Sequence, residues 1–213
     1  MKEEKKKVQE KDHYQRHVII FRLFAIIMRP FFRIIYGLKC PPRQRITGPY
    51  VVVSNHVTNL DPWLLATGFK NQMYFIASEQ FYRRGFKSKV LHWAFAPISK
   101  IKGASDKLTV MKSIRNLREG RNICVFPEGN RTFNGVTGKV ELATGKFIKV
   151  GNAGLVTCKI EGGYMTFPRW GFGMRRGKMS AKIVNVYSRE QIKNMSPEEI
   201  TEVINTKKNI KTS

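Results

Sequence analysis

Acidic residues are scarce in this chain. Fifteen Asp and Glu stand against 39 Lys and Arg in 213 residues, a formal net charge of +24. Solubility is served by much less, so the surface calls for an anionic partner, either nucleic acid or the acidic face of a membrane. Cysteine is sparse too. Cys40, Cys124 and Cys158 are odd in number and widely spaced, which argues against a disulfide framework and leaves reduced thiols of a cytoplasmic protein. The four histidines (His13, His17, His56, His92) do not cluster with them, and no zinc site is expected. A long apolar run is also missing. Arg22, Arg29 and Arg33 interrupt the stretch from His17 to Tyr36, well short of the ~20 apolar residues that a bilayer span requires. A mixed-charge arm precedes that stretch and no small-residue cleavage site follows it, so a signal peptide is not expected. Nor is there an internal repeat or a Gly/Ser linker.

What is present suits one well-packed α/β unit. Hydrophobic residues make up 42% of the chain and aromatics 11%, enough for a core and too much for a disordered polymer. Residues 1–12 are mostly charged and read as a solvated arm or a frayed helix start. Residues 13–44 read as an N-terminal segment of amphipathic helices. Arg22, Arg29 and Arg33 are seven and four apart, which places them along one stripe of a helix with Phe, Ile, Leu and Met over most of the rest. The apolar arc is wider than the ~100° a core-facing helix needs. This favours a helix lying in the membrane interface over one merely packed on the protein's own core. Pro30 is expected to kink or split it into a two-helix anchor.

Residues 45–213 alternate strand and helix. Strands are expected over Tyr50–Asn55, Gln72–Ala77, Pro97–Ile101, Asn122–Phe126, Leu155–Ile160 and Lys178–Tyr187. Helices are expected over Pro62–Phe69, Gln80–Phe95, Asp106–Glu119 and Thr144–Val150, with a last one opened by the capping box Ser196-Pro-Glu-Glu199. The pattern implies an α/β class with a single mixed β-sheet flanked by helices. Residues 162–177, rich in Gly, Arg and aromatics, read as a loop.

Two short motifs carry the chemistry. Asn55-His56-Val-Thr-Asn59-Leu-Asp61-Pro follows the apolar run Val51–Val53, and Phe126-Pro127-Glu128-Gly129-Asn130-Arg131-Thr132 follows Asn122–Val125. Each sets ionisable residues where a buried strand runs out. His56 is the side chain best suited to removing a proton from a hydroxyl near neutral pH. Asp61 is close enough to fix its tautomer if the chain between them turns. Taken alone, His56 reads as a structural histidine, and Asp61-Pro62 as a helix N-cap. Arg131 offers a planar fork of donors to a phosphate. Gly129 lets the backbone approach a ligand, and Glu128 can bond a hydroxyl or orient the loop. Alone, these are a turn and an exposed arginine.

Taken as a pair, in this order and at this separation, the motifs resemble two signature blocks of the glycerolipid acyltransferases, the family of the bacterial and eukaryotic lysophosphatidic acid acyltransferases. The resemblance covers roughly residues 45–190. It implies a membrane-associated O-acyltransferase of phospholipid biosynthesis, with lysophosphatidic acid as acceptor and acyl-CoA or acyl carrier protein as co-substrate. In that family's chemistry His56, oriented by Asp61, takes the proton of the free sn-2 hydroxyl, which attacks the thioester directly to give phosphatidic acid. Glu128, Gly129, Arg131 and Thr132 hold the glycerol phosphate, supported by Asn55, Asn59, Pro127 and Asn130. No metal or cofactor is implied. The place is the cytoplasmic face of the cell membrane, with peripheral or monotopic attachment through Arg22, Arg29 and Arg33.

Two departures stand out. Where the family has an arginine after a third strand, this chain has Pro97-Ile-Ser-Lys100-Ile-Lys102-Gly, so Lys102, with Lys100 close by, takes the place of the phosphate-binding arginine. The block Leu155–Gly163 lacks the family's proline-centred apolar run. The loop that follows, with Arg169, Trp170, Arg175 and Arg176, is either a headgroup or donor site or a basic membrane-facing loop.

Two other readings are carried. One is acylation of another lysolipid, such as a lyso-aminolipid or glycolipid. The other, from a different class, is a non-catalytic basic protein that binds membrane or nucleic acid. Nucleic acid is not the expected partner, because no zinc-finger spacing, RNA-recognition motif or basic leucine zipper is present.

Overall fold

The computed structural model describes residues 2–46, 48–78, 85–100, 107–167, 170, 171, 175 and 177–208. In chain order these form α1 (Lys2–Tyr36), β1 (Tyr50–Ser54), α2 (Asp61–Ala66), β2 (Met73–Ser78), α3 (Gly85–Phe95), β3 (Ile98–Lys100), α4 (Lys107–Arg118), β4 (Asn122–Val125), α5 (Leu142–Gly151), β5 (Gly154–Glu161), α6 (Gly163–Thr166), β6 (Ser180–Tyr187), α7 (Arg189–Asn194) and α8 (Pro197–Lys208). Lys102, Arg169 and Arg176 lie outside the described residues.

The strands build one mixed sheet, ordered β3-β2-β4-β1-β5-β6. All neighbours are parallel except β5 and β6. β1 lies inside the sheet, between β4 and β5. Its apolar run is continuous because it is buried on both faces. Val52 joins a core with Phe21 and Phe32 of α1 and Leu64 and Leu65 of α2. Val51 and Val53 join another with Leu117 of α4, Ile148 of α5, Ile192 of α7 and Ile200 and Ile204 of α8. The two-residue period of the strand thus divides the helices between the two faces.

Three features of the long N-terminal helix stand out. It begins at Lys2, the helical alternative for residues 1–12. It runs unbroken through Pro30 to Tyr36, so the expected split does not occur. Pro30 sits on the exposed side, so the carbonyl it leaves without an N–H faces water, and buried Ala25 and Phe32 hold the axis on either side. Third, the arginines do not form a free stripe. Arg22 and Arg33 are exposed, but the Arg29 guanidinium donates to the carbonyls of Pro41 at 2.6 Å and Thr67 at 3.1 Å. Arg29 clamps the helix to the domain.

One side of this helix is packed on the core and the other is exposed and apolar. Phe21 and Phe32 are 1% and 2% exposed, whereas Ile27 and Ile34 on the outer side are 63% and 70% exposed. Leu23, Ile26, Phe31 and Ile35 are exposed with them. Among the described residues no helix is long and apolar enough to cross a membrane.

The chain also forms α7, for which no element is expected from the sequence, and α6 inside the expected loop. The capping box of α8 is present: Ser196 N–H donates to Glu199 Oε2 at 2.6 Å, and Glu199 N–H to Ser196 Oγ at 3.1 Å.

Candidate active site

Parallel pairing sets the two motifs side by side. Val53 of β1 is in register with Val125 of β4, so both strands end together and their following loops emerge at the same, C-terminal edge of the sheet. This is where open α/β sheets place their ligands.

His56 and Asp61 meet there. His56 Nδ1 lies 2.8 Å from Asp61 Oδ2; the imidazole is 19% exposed and the carboxylate 0%. The buried carboxylate is surrounded by donors. Its Oδ2 accepts the N–H of Val57 at 2.5 Å and of Thr58 at 2.8 Å, and its Oδ1 accepts the Thr58 hydroxyl at 2.9 Å. An ionised carboxylate only accepts, so the proton of neutral His56 resides on Nδ1 and Nε2 keeps a lone pair.

Asp61 is not the N-cap of α2. It is the first helical residue, the preceding Leu60 lacks a side-chain capping bond, and the carboxylate is turned back onto the 56–58 loop. The loop's backbone donors are as available to it as those of the helix, and His56 adds a third partner.

The second motif encloses the first. Gly129 N–H donates to Phe126 O at 3.0 Å, closing a turn with Pro127 in its second position. Gly129 has φ +68°, and a Cβ there would meet nothing within 4 Å. The glycine is therefore explained by the backbone angle and not by crowding. The Phe126 ring stacks on His56, centroids 4.3 Å apart at 24°. His56 N–H donates to Glu128 Oε1 at 3.4 Å, and Thr132 N–H donates to His56 O at 2.9 Å. Arg131, next in the chain, is half-buried.

The supporting residues divide. Asn55 is buried and cross-braces the sheet: its amide donates to Ile160 O and accepts from Ile160 N–H, both at 2.8 Å. Asn59 and Asn130 are exposed and Pro127 half-buried. Lys100 ends β3, at the same edge of the sheet as His56 but on its border strand. Three strand spacings put β3 roughly 14 Å from β1.

The Leu155–Gly163 block has its own solution. Gly162 has φ +71°, and a Cβ on Gly163 would come within 3.0 Å of Thr58 Cγ2. The glycine pair lets this turn press on the His56 loop where the family's block has an apolar run. Beyond it, Tyr164 packs against Gly135 and accepts the Trp170 indole N–H at 3.1 Å. Phe133, Val136, Met165 and Trp170 on these two loops are exposed apolar side chains.

Two functional neighbours were not singled out from the sequence, Thr58 and Phe126. A hydroxyl three residues before Asp61 is a signal for Thr58. The stacking of Phe126 depends on the pairing of β1 with β4 and has no local signal.

Residues 33–188 match the family described as "Acyltransferase". Among solved structures, the 1-acyl-sn-glycerophosphate (LPA) acyltransferase PlsC from Thermotoga maritima shares the fold. The TM-score is 0.70 at 20% identity, over 89% of this chain and 75% of that one.

Proposed function

This chain belongs to the acyltransferase family, and on that premise we propose that it moves a fatty acyl group from acyl-CoA or acyl carrier protein to the sn-2 hydroxyl of lysophosphatidic acid. The observation that carries the reading is the 2.8 Å pairing of His56 Nδ1 with the caged Asp61 carboxylate at the open edge of the sheet.

The mechanism follows from that pair. His56 Nε2 takes the proton of the acceptor hydroxyl as its oxygen bonds to the thioester carbonyl carbon. The imidazolium is stabilised by Asp61. When the tetrahedral adduct collapses, the carbon–sulfur bond breaks and the proton passes from Nε2 to the departing thiolate. Transfer is direct, without an acyl-enzyme. Glu128, Gly129, Arg131 and Thr132 hold the glycerol phosphate, Arg131 through charge-assisted hydrogen bonds. What supports this is the bonding of the second motif to the backbone of His56, which keeps the phosphate grip beside the base. Lys100 adds positive charge at the edge of the sheet.

Residues 13–44 attach the protein to an anionic membrane surface at the cytoplasmic face, and residues 45–213 carry the reaction. The exposed apolar side of α1, flanked by Arg22 and Arg33, supports attachment within one leaflet. The exposed Phe133, Val136, Met165 and Trp170 give the loops of the site an apolar rim.

The test is turnover of lysophosphatidic acid with each donor in anionic liposomes. Phosphatidic acid formation that disappears in His56→Ala supports the reading, and full turnover by that variant overturns it. Turnover of another lysolipid with none of lysophosphatidic acid shifts the acceptor and keeps the mechanism.

A further inference from the structure

The chemistry at His56 uses none of the positive charge gathered at the other end of the sheet. There an open cavity of about 490 Å³ lies between α1 and α3. His13, Arg16 and His17 line it from α1, and Lys89, His92 and Trp93 from α3. Among the described residues that line it there is no Asp or Glu. It sits where the parallel strands begin. His17 Nδ1 is 3.2 Å from the hydroxyl of Tyr74, the second residue of β2. Behind it Arg121, which leads into β4, lies 5.0 Å from the Tyr14 ring and 6.0 Å from the Tyr74 ring. His56 follows the opposite end of β1, so the length of the sheet separates the two places.

Three features point to a missing anion. Arg16 Nε is buried and has no hydrogen-bond partner. The Arg16 guanidinium rests over the Trp93 ring at 4.8 Å, which fixes its plane. A buried charged donor left unpaired is costly and expects an acceptor. The nearby carboxylate of Glu119 is already taken, 2.9 Å from Arg121. Finally, the local field is positive. Burial first, then the charges of Arg16, His13 and Arg121, push the pKa of His17 down to about 4, against a hydrogen bond to the Trp93 backbone that raises it.

We propose that this cavity is a second anion site, which takes a phosphate mono- or diester through Arg16 and Lys89. The guanidinium fork matches phosphate oxygens and Lys89 adds a mobile point charge. The surroundings favour a phosphate carried by a lipid. Trp93 is 54% exposed, and Val90 on α3 and Ile19 and Leu23 on α1 are exposed apolar side chains. An aromatic and apolar border beside a basic pocket suits a membrane headgroup. The site shares no residue with the His56 centre and does not depend on the acyl-transfer reading.

Two probes test it on the full chain: inorganic phosphate followed by calorimetry and histidine NMR, and phosphatidylcholine vesicles with and without phosphatidic acid. The wild type and Arg131→Gln are expected to bind phosphate and to show the His17 pKa rising with it. Arg16→Gln combined with Lys89→Gln is expected to bind at least tenfold more weakly to one probe or both. Loss with phosphate alone identifies a soluble phosphate ligand, and loss with the acidic vesicles identifies a headgroup; each sustains the site. Binding by the double variant equal to wild type with both probes overturns it. An equal loss in the charge-matched pair Lys112→Gln with Arg118→Gln, both exposed on α4, also overturns it, as plain surface charge. If the double variant does not fold, Lys89→Gln, an exposed position, is read by the same criteria. Turnover of detergent-dispersed substrate is expected unchanged in the folded double variant, so failure here leaves the reaction untouched.

Discussion

The backbone N–H of Thr132 donates to the carbonyl oxygen of His56 at 2.9 Å. With the Phe126 ring stacked on the imidazole, this makes the two motifs one bonded unit, although 76 positions separate the two residues. The base cannot move without the loop expected to hold the phosphate.

His56→Ala is expected to keep the fold and lower kcat at least about a hundredfold, the lower end of what a positioned base contributes. Asp61→Asn is expected to lower kcat by a similar factor and also to destabilise the chain. Its carboxylate satisfies two backbone N–H groups and the Thr58 hydroxyl, and an amide cannot accept from all of them. Circular dichroism melts beside initial rates separate the two effects. Equal kcat in wild type and His56→Ala would sink the general-base role.

Arg131→Ala is expected to raise KM for the lysolipid about tenfold to a hundredfold, the worth of a charge-assisted hydrogen bond. Lys100→Ala, on the border strand, is expected to change KM by only about twofold, as surface substitutions do. The reverse order would move the phosphate site toward β3.

The two sides of α1 are expected to fail differently. Phe21→Ala removes a core side chain that is 1% exposed and should cost about 3–5 kcal/mol of stability. Leu23→Glu, Ile27→Glu and Ile34→Glu, all exposed, should each stay within about 0.5 kcal/mol. Combined, they should abolish flotation with anionic vesicles. Undiminished flotation of the triple variant would remove α1 as the membrane contact.

Stability should fall with acid through His17. Its pKa lies near 4 in the folded chain against an ordinary 6.5, so between these values the unfolded chain binds the extra proton. The native state therefore keeps its full stability above pH 6.5 and loses it as the pH falls toward 4. The groups facing His17 are Arg16, His13, Arg121, the Tyr74 hydroxyl and the Trp93 backbone. Denaturation midpoints of wild type and His17→Gln, in phosphate-free buffer, should converge across that window. Parallel curves would mean that His17 titrates alike in both states.

The alternation of strands and helices was legible because parallel strands covered on both faces are unbroken apolar runs, as Val51–Val53 and Ile123–Val125 are. The His56 and Asp61 contact was legible because it is local, five residues apart. What escaped depends on distant chain. Arg29 reads as a membrane stripe until the carbonyls of Pro41 and Thr67 arrive beneath it. Pro30 reads as a break until packing on both sides carries the helix through it. Phe126 reaches His56 only because β1 pairs with β4. One omission was avoidable: Ser188-Arg-Glu-Gln191 carries a complete capping box and announces α7, although six residues with one buried side chain give little periodicity.

The strands flanking β1 hold two thiols, Cys124 opposite Val52 and Cys158 opposite Ser54. Both are buried, and burial lifts the Cys124 pKa well above its usual value and that of Cys158 to about 12. Cys40, only half-buried, stands apart near the end of α1. The chain thus contains an internal clock for opening of its centre. An alkylating reagent should mark Cys40 quickly, and Cys124 and Cys158 together only when the layer of α1 and α2 lifts from their face of the sheet. Mass spectrometry of the labelled chain, with and without lysolipid, would time how firmly a ligand at His56 closes the sheet beneath it.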